Sequence, residues 1–391
     1  MDNKTLTVAF AGGGTGGHIY PGLAVADSLR QTFSQAGRQV KIVWLGSLSK
    51  MDREIVENSV DKDGRKSADK FYGIPSGKLR RYFSVQNFID LFKIFFGFVA
   101  AFFILLRNKP ALLFSKGGFV SVPPCLAARI LGIKVVTHEC DFTPGLATRI
   151  NSRFAQKVFL SYEETREFFA AGTSSKFVVT GNPVRPVFYE ADAAAGLKFL
   201  GVNPTQKKAK PLLLVMGGSL GAAQINELLW AHIGWLCKRF IVVHQTGQKN
   251  AALLPQNLLD GLTDEQKASY HPYAFIYKEM PDVIAAADIV VSRAGANSIW
   301  ECAALKKPMI LIPLEGAGTR GDQVDNAEWF ERRGAAIVLT KNSMSETAIQ
   351  SALVSMSDAK NRKKYAAACE AILGTEKPAQ KIAALLAEEM P

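Results

Sequence analysis

Three glycine clusters in this chain each sit where a run of apolar residues ends. The first reads Gly12-Gly13-Gly14-Thr15-Gly16-Gly17-His18. The second is Lys116-Gly117-Gly118-Phe119-Val120-Ser121, and the third is Gly217-Gly218-Ser219-Leu220-Gly221. Residues without bulky side chains let backbone N–H groups approach a phosphate, and a following helix N-terminus adds about half a positive charge. A fourth segment, Ser292-Arg293-Ala294-Gly295-Ala296-Asn297-Ser298-Ile299-Trp300-Glu301, also follows an apolar run. Asn297 or Ser298 is expected to open a helix there, with Glu301 one turn inside it. A carboxylate so placed can accept both hydroxyls of a ribose while the loop amides and the helix start face a diphosphate. The same spacing also suits a plain first-turn acid stabilised by the helix dipole.

Moving a group from a phosphate ester to a hydroxyl needs a base for the proton and donors for the leaving anion. Two residues qualify as the base. His18 ends the first glycine cluster, and Asp141 follows His138 and Glu139 at the end of another apolar run. The residues alone leave both open. His232, His244 and His271 have no motif around them and read as structural. Asp61-Lys62-Asp63 spells the DxD pair of metal-dependent transferases, but it lies in the charged run 61–70 and reads as a solvated loop. Helix N-termini and Arg185 acting together would make a metal unnecessary, so none is expected.

Short apolar strands alternate with helices through both halves. Strands are expected at Leu6–Ala11, 40–45, 111–114, 134–137 and Lys157–Leu160, then at Leu212–Met216, 240–245, Ile289–Ser292, 309–313 and 336–339. A helix with Pro21 in its first turn should follow the first glycine cluster. This alternation predicts parallel sheets covered on both faces. Pro183 and Pro186 bracket the seam, which divides the chain into residues 1–186 and 187–374, and the basic run 207–210 reads as a solvated loop. Two such domains facing each other would form a cleft at the carboxyl ends of their strands. Residues 12–17 satisfy GxGxxG, but no acid ends the second strand and the next carboxylate is Asp52, which argues against a dinucleotide enzyme. The P-loop string is absent.

Of the 391 residues 48% are hydrophobic and 21% charged, which suits packed domains, while the net charge of +12 calls for anionic company. No alternation of aromatic and basic residues suits a nucleic-acid platform, so nucleic acid is not an expected partner. Five scattered cysteines without a CxxC pair suit a reducing compartment, and no secretory signal is read at the N-terminus. Residues 88–106 form the most apolar stretch, flanked by Lys78, Arg80, Arg81, Arg107 and Lys109. Its nineteen residues could span about 28 Å as a helix. Asp90, Lys93, Gly97 and Ala100 mark one polar-to-small face, and the strand at 111 follows at once. Peripheral docking on an anionic leaflet explains this better than a buried helix or a span.

Six ordered segments then resemble the MurG family, bacterial transferases of peptidoglycan synthesis. They are 13–24, 116–121, His138-Glu139, Gly181-Asn182-Pro183-Val184-Arg185, 217–222, and Asp322-Gln323 with Asn326-Ala327. The likeness covers nearly the whole chain. It implies a GT-B fold: two Rossmann-like, doubly wound α/β domains of parallel sheet facing a cleft, with the C-terminal helix 375–391 returning to the first domain. It implies inverting transfer of N-acetylglucosamine from UDP-N-acetylglucosamine to the 4-hydroxyl of N-acetylmuramate in lipid I, yielding lipid II on the cytoplasmic face of the plasma membrane. No cofactor is implied. By the same likeness Thr15, Gly16, Gly17, Arg185, Ser219, Tyr277, Ala296, Asn297, Ser298, Glu301 and Gln323 would hold the donor. Many members carry Gln-Asn where this chain has Cys140-Asp141, so the base stays divided between His18 and Asp141. A UDP-N-acetylglucosamine epimerase, or another lipid glycosyltransferase of this fold, is the alternative.

Overall fold

A computed structural model describes residues 5–61, 63–77, 85–170, 174–217, 221–248, 250, 256–316 and 319–391. The chain separates into two compact units, Met1–Arg185 with Thr375–Pro391, and Pro186–Gly374.

The first unit is built on seven parallel strands: β1 Leu6–Ala11, β2 Val40–Ser47, β3 Lys70–Ile74, β4 Leu112–Ser115, β5 Lys134–Glu139, β6 Lys157–Leu160 and β7 Phe177–Val179. Their order is β3-β2-β1-β4-β5-β6-β7. Side chains alternate across a strand, so β1 feeds two cores. Val8 and Phe10 pack with Ile19, Leu23 and Trp44 on one face, and Ala9 and Ala11 with Leu105 and Val120 on the other. Covering both faces is why these strands read as unbroken apolar runs. The C-terminal helix Pro378–Glu388 lies against the helix Gly16–Gln35 and adds Ile382, Ala383 and Leu386 to the first core.

The second unit repeats the plan with β8 Leu212–Met216, β9 Ile241–Gln245, β10 Tyr270–Tyr273, β11 Ile289–Ser292, β12 Met309–Leu311 and β13 Ala336–Val338. All pairings are parallel, in the order β10-β9-β8-β11-β12-β13. In each sheet the direction of winding reverses between the first and fourth strands, β1 and β4 in one, β8 and β11 in the other. Ligands of doubly wound sheets bind beyond the carboxyl ends at such a reversal. The four motif segments leave those four strands.

Three strands were not foreseen, β3, β7 and β10, and all three are sheet edges. Edge strands bury less and need less apolar sequence. β10 even carries Pro272, which an edge tolerates because it has no N–H to lose. The helix after β1 starts at Gly16, so Pro21 falls in its second turn rather than its first. The helix after β11 starts at Ala296, which makes Glu301 its sixth residue and removes the plain first-turn-acid reading. The basic run is not a bare loop. Lys207 and Lys208 belong to the helix Pro204–Ala209, closed by an Asn203/Gln206 capping box, and Lys207 and Lys210 pair with Asp288 and Glu265. Asp61 accepts the amides of Asp63 and Arg65 in a tight turn, and Lys62 lies outside the described residues.

The apolar segment forms the helix Val85–Asn108, long and apolar enough over Phe88–Asn108 to cross a membrane. It packs on the helix Val122–Ile130 and on β3. Asp90, Gly97, Ala101 and Leu105 are buried, while Lys93 is exposed and pairs with Asp90 at 3.4 Å. The buried face thus passes through Ala101 rather than Ala100. A Cβ on Gly97 would collide with the Pro75 carbonyl, so this glycine sets the close approach. Phe88, Leu91, Phe92, Phe95, Phe96 and Phe103 are exposed. Lys78, Arg80 and Arg81 lie outside the described residues.

Candidate functional site

The turn after β1 is held from several directions. Gly12 donates to the Leu45 carbonyl at 3.2 Å, and Trp44 Nε1 donates to the Gly12 carbonyl at 2.9 Å. The Gly14 amide donates to both carboxyl oxygens of Asp52, at 2.8 and 3.1 Å, and the Ser47 amide donates to Asp52 Oδ2 at 2.9 Å. The expectation of bare amides throughout this turn is therefore corrected at Gly14, whose hydrogen is already taken. Thr15 remains exposed as the residue before the helix, its hydroxyl not used as a cap, and Gly16 and Gly17 open the helix.

His18 sits in that first turn, and its amide donates to the Thr15 carbonyl. Its imidazole lies against Gly118 in the turn after β4. A Cβ there would come within 2.7 Å of His18 Cδ2, and Gly118 has φ of 75°, so the contact requires glycine twice over. Asp141 follows β5, half-buried, its amide donating to Glu139 Oε1 at 3.0 Å. Glu139 also accepts the amides of Cys140 and Gly145, and so shapes the whole connection from β5 to the helix Leu146–Phe154. Glu139, Cys140 and Asp141 offer ligand atoms within 4.8 Å of one another, but both Glu139 oxygens are already committed to backbone. Both candidate bases thus stand at the carboxyl edge of the first sheet, on connections from β1 and β5 with β4 between.

His138 is fully buried, and its Nε2 donates to the Gly181 carbonyl at 3.0 Å. Burial, and then the Lys116 cation, hold its pKa well below the usual 6.5, so it stays neutral and structural. The Arg185 guanidinium stacks over Tyr20 at 4.8 Å.

In the second unit Ser219 lies outside the described residues, between Gly217 and Gly221. The helix Ala223–Trp230 that follows is fixed by a polarised chain. Trp230 Nε1 donates to the Tyr270 hydroxyl, and that hydroxyl donates to His244 Nδ1. His244 Nε2 donates to Asn226 Oδ1, and Asn226 Nδ2 donates to the Thr246 carbonyl, each step at 2.9–3.1 Å. Burial lowers the His244 pKa to about 4, which keeps Nδ1 an acceptor. Ala296, Asn297 and Ser298 form the first turn after β11, with Glu301 half-buried behind them. Arg293 Nη1 donates to Gln224 and to the carbonyls of Ile312 and Pro313, tying this turn to the neighbouring connections. Gln323 Oε1 accepts the Leu314 amide, and the exposed Tyr277 accepts a hydrogen bond from Gln248 at 2.7 Å. The roles of Asp52, Glu139, Asn226 and Arg293 were missed from the sequence. Their signal was a polar residue near a glycine turn, which spacing alone does not separate from solvent-facing residues.

Residues 8–160 match the Glycosyltransferase family 28 N-terminal domain, and residues 212–386 match its C-terminal domain. A protein of Treponema denticola is 53% identical over 335 residues, covering 85% of this chain and 83% of its own. It is named UDP-N-acetylglucosamine--N-acetylmuramyl-(pentapeptide) pyrophosphoryl-undecaprenol N-acetylglucosamine transferase. The chain belongs to the MurG family. A Clostridium botulinum relative of the same name is 39% identical over 86% of both chains. Among solved structures, Acinetobacter baumannii MurG superposes with a TM-score of 0.69 at 24% identity, covering 98% of this chain and all of that one. The Neisseria meningitidis UDP-GlcNAc 2-epimerase gives 0.63 at 16% identity over 99% of both. These likenesses establish the fold, two Rossmann-like domains of GT-B type, which transferases and epimerases share.

Proposed function

We propose that this hexosyltransferase moves N-acetylglucosamine from UDP-N-acetylglucosamine to the 4-hydroxyl of the N-acetylmuramoyl unit of lipid I, giving lipid II. The observation that carries the reading is 53% identity over 85% of the chain to a transferase bearing that activity in its name. The epimerase alternative is supported by fold alone.

In an inverting transfer the acceptor oxygen forms a bond to the sugar anomeric carbon as the bond from that carbon to the UDP oxygen breaks. The hydroxyl proton passes to His18 or Asp141. Charge developing on the departing diphosphate is met by donors fixed beforehand, which is where preorganised amides and helix starts act. Ala296, Asn297, Ser298, Glu301, Gln323, Tyr277 and Ser219 in the second unit serve the donor nucleotide, and Thr15, Gly16, Gly17 and Arg185 of the first unit complete its binding. Residues 187–374 are thus the donor domain. Residues 1–186 with 375–391 take the acceptor and face the membrane.

The exposed phenylalanines of the helix Val85–Asn108 rest on the cytoplasmic face of the plasma membrane, where the net charge of +12 favours an anionic leaflet and the lipid acceptor resides. Nucleic acid has no part in this reading. The test is transfer of labelled N-acetylglucosamine to a lipid I analogue, with chelator present, alongside an incubation lacking acceptor. Labelled lipid II product is expected, and no epimer. A well-folded protein that transfers nothing, or that epimerises the donor, refutes the proposal.

A further inference from the structure

The two units repeat one turn, strand to glycine cluster to helix, yet fill it differently. In the first, Asp52 is fully buried and its carboxyl group accepts the amides of Gly14 and Ser47. Its own amide is capped by Ser49 Oγ at 3.1 Å, which anchors the start of the helix Lys50–Asn58. The carboxyl group occupies space beside Gly13 so closely that a Cβ on Gly13 would collide with Oδ2. In the second unit the corresponding stretch after β9, residues 244–256, contains no carboxylate. A Cβ on Gly221 there would meet the Thr246 carbonyl and the Asn250 carboxamide instead.

An anion that accepts amides at a glycine turn does what a phosphate does in nucleotide-binding folds. Asp52 supplies that anion from within the chain, so the turn is already complete before any ligand arrives. We infer that Asp52 is a positioning residue for transfer: it acts as a resident anion that fixes the Gly12–Gly14 turn and thereby sets the place of Thr15, Gly16, Gly17 and His18. Three residues separate Gly14 from His18, and the helix start has no side-chain cap of its own. Without Asp52 the Gly14 amide loses its acceptor, and the helix start can shift by the fraction of an ångström that matters for proton transfer. UDP affinity should fall less than the rate of transfer, because Thr15, Gly16 and Gly17 supply only part of donor binding and the second unit's residues are untouched.

This inference rests on the proposed transfer and on donor-nucleotide binding by the second unit, so the experiment measures both. In the full chain, Asp52→Ala and the near-isosteric Asp52→Asn are compared with wild type for kcat of transfer, for Kd of UDP by calorimetry, and for melting temperature. Wild-type binding of UDP and transfer to the acceptor establish the underlying reading, and their failure sinks that reading separately. Both variants should lose at least tenfold in kcat with a smaller loss in UDP affinity and an unchanged melting temperature, and formate should restore part of the Asp52→Ala activity. Gly13→Ala evicts the same carboxyl group without deleting it. It should lower kcat on its own and add nothing further in the Asp52→Ala background. Unchanged kcat in the Asp52 variants overturns the inference. So does a melting temperature that falls to the assay temperature, because the loss of kcat then reports unfolding.

Discussion

Membrane docking by the helix Val85–Asn108 makes a prediction whose size can be worked from exposure. Phe95 and Phe96 are 57% and 58% exposed, their rings meeting edge to face at 5.6 Å. A phenylalanine presents about 200 Å², so each ring leaves roughly 115 Å² that lipid could cover. At about 25 cal/mol per Å² this gives near 3 kcal/mol per ring for complete burial. Insertion to half that depth leaves about 1.5 kcal/mol each, so the double substitution Phe95→Ser/Phe96→Ser should weaken vesicle binding roughly a hundredfold. Sedimentation with vesicles containing anionic lipid measures the partition directly. Because both side chains point away from the buried Asp90, Gly97, Ala101 and Leu105, the melting temperature should hold and UDP binding should be unchanged. Transfer to a water-soluble acceptor analogue should persist while transfer to vesicle-borne lipid I falls. A double variant that sediments with vesicles like wild type refutes the reasoning, since no other exposed apolar face of comparable extent exists among the described residues.

Two further predictions concern buried titrating groups. Burial raises the Asp27 carboxyl to about 6, with Ser67 and Arg30 acting the other way. A folded-state pKa above the unfolded value of 3.8 means that stability is lost as pH rises between the two, by up to about 3 kcal/mol. Asp27→Asn should therefore raise the melting temperature at pH 7.5 and leave it nearly unchanged at pH 4, and no gain at pH 7.5 would contradict this. His244 has the opposite dependence. Its folded pKa of about 4 lies below 6.5, so its contribution is whole above pH 6.5 and fades as pH falls toward 4. Replacing it with Gln should flatten that part of the pH–stability profile while weakening UDP binding, and an unaltered profile would show that His244 is not titrating there.

The central strands were legible because covering both faces of a parallel sheet demands nearly continuous apolar sequence, and Leu6–Ala11, Lys157–Leu160, Leu212–Met216 and Ile289–Ser292 are apolar but for Thr7, Lys157 and Ser292. The edges β3, β7 and β10 were not, since an edge is half-covered and tolerates Lys70 or Pro272. Helix starts were misread by a few residues for a related reason. Gly16 and Gly17 have low helix propensity, and tertiary packing places them in the first turn regardless, while the start at Ala296 lies one or two residues before the expected Asn297 or Ser298. Motif order was enough to place the family, because six segments in sequence are hard to match by accident.

What the sequence could not display was the filling of the first glycine turn. Gly12 to Gly17 and Gly217 to Gly221 look alike on the page, and spacing assigns both to phosphate. The difference lies in a residue 38 positions beyond Gly14, brought beside it because β2 pairs with β1 and the helix Lys50–Asn58 folds back over the turn. Asp52 was noticed only as a carboxylate too late in the chain to hold a ribose. Its position is in fact what suits it to the turn: Ser49 starts the helix, and the third residue of that helix is aimed back at the Gly14 and Ser47 amides. A duplicated fold can thus divide its labour by a single side chain. One turn carries its anion within the chain, at the start of the helix that bears His18, while the stretch 244–256 after β9 offers the other no carboxylate.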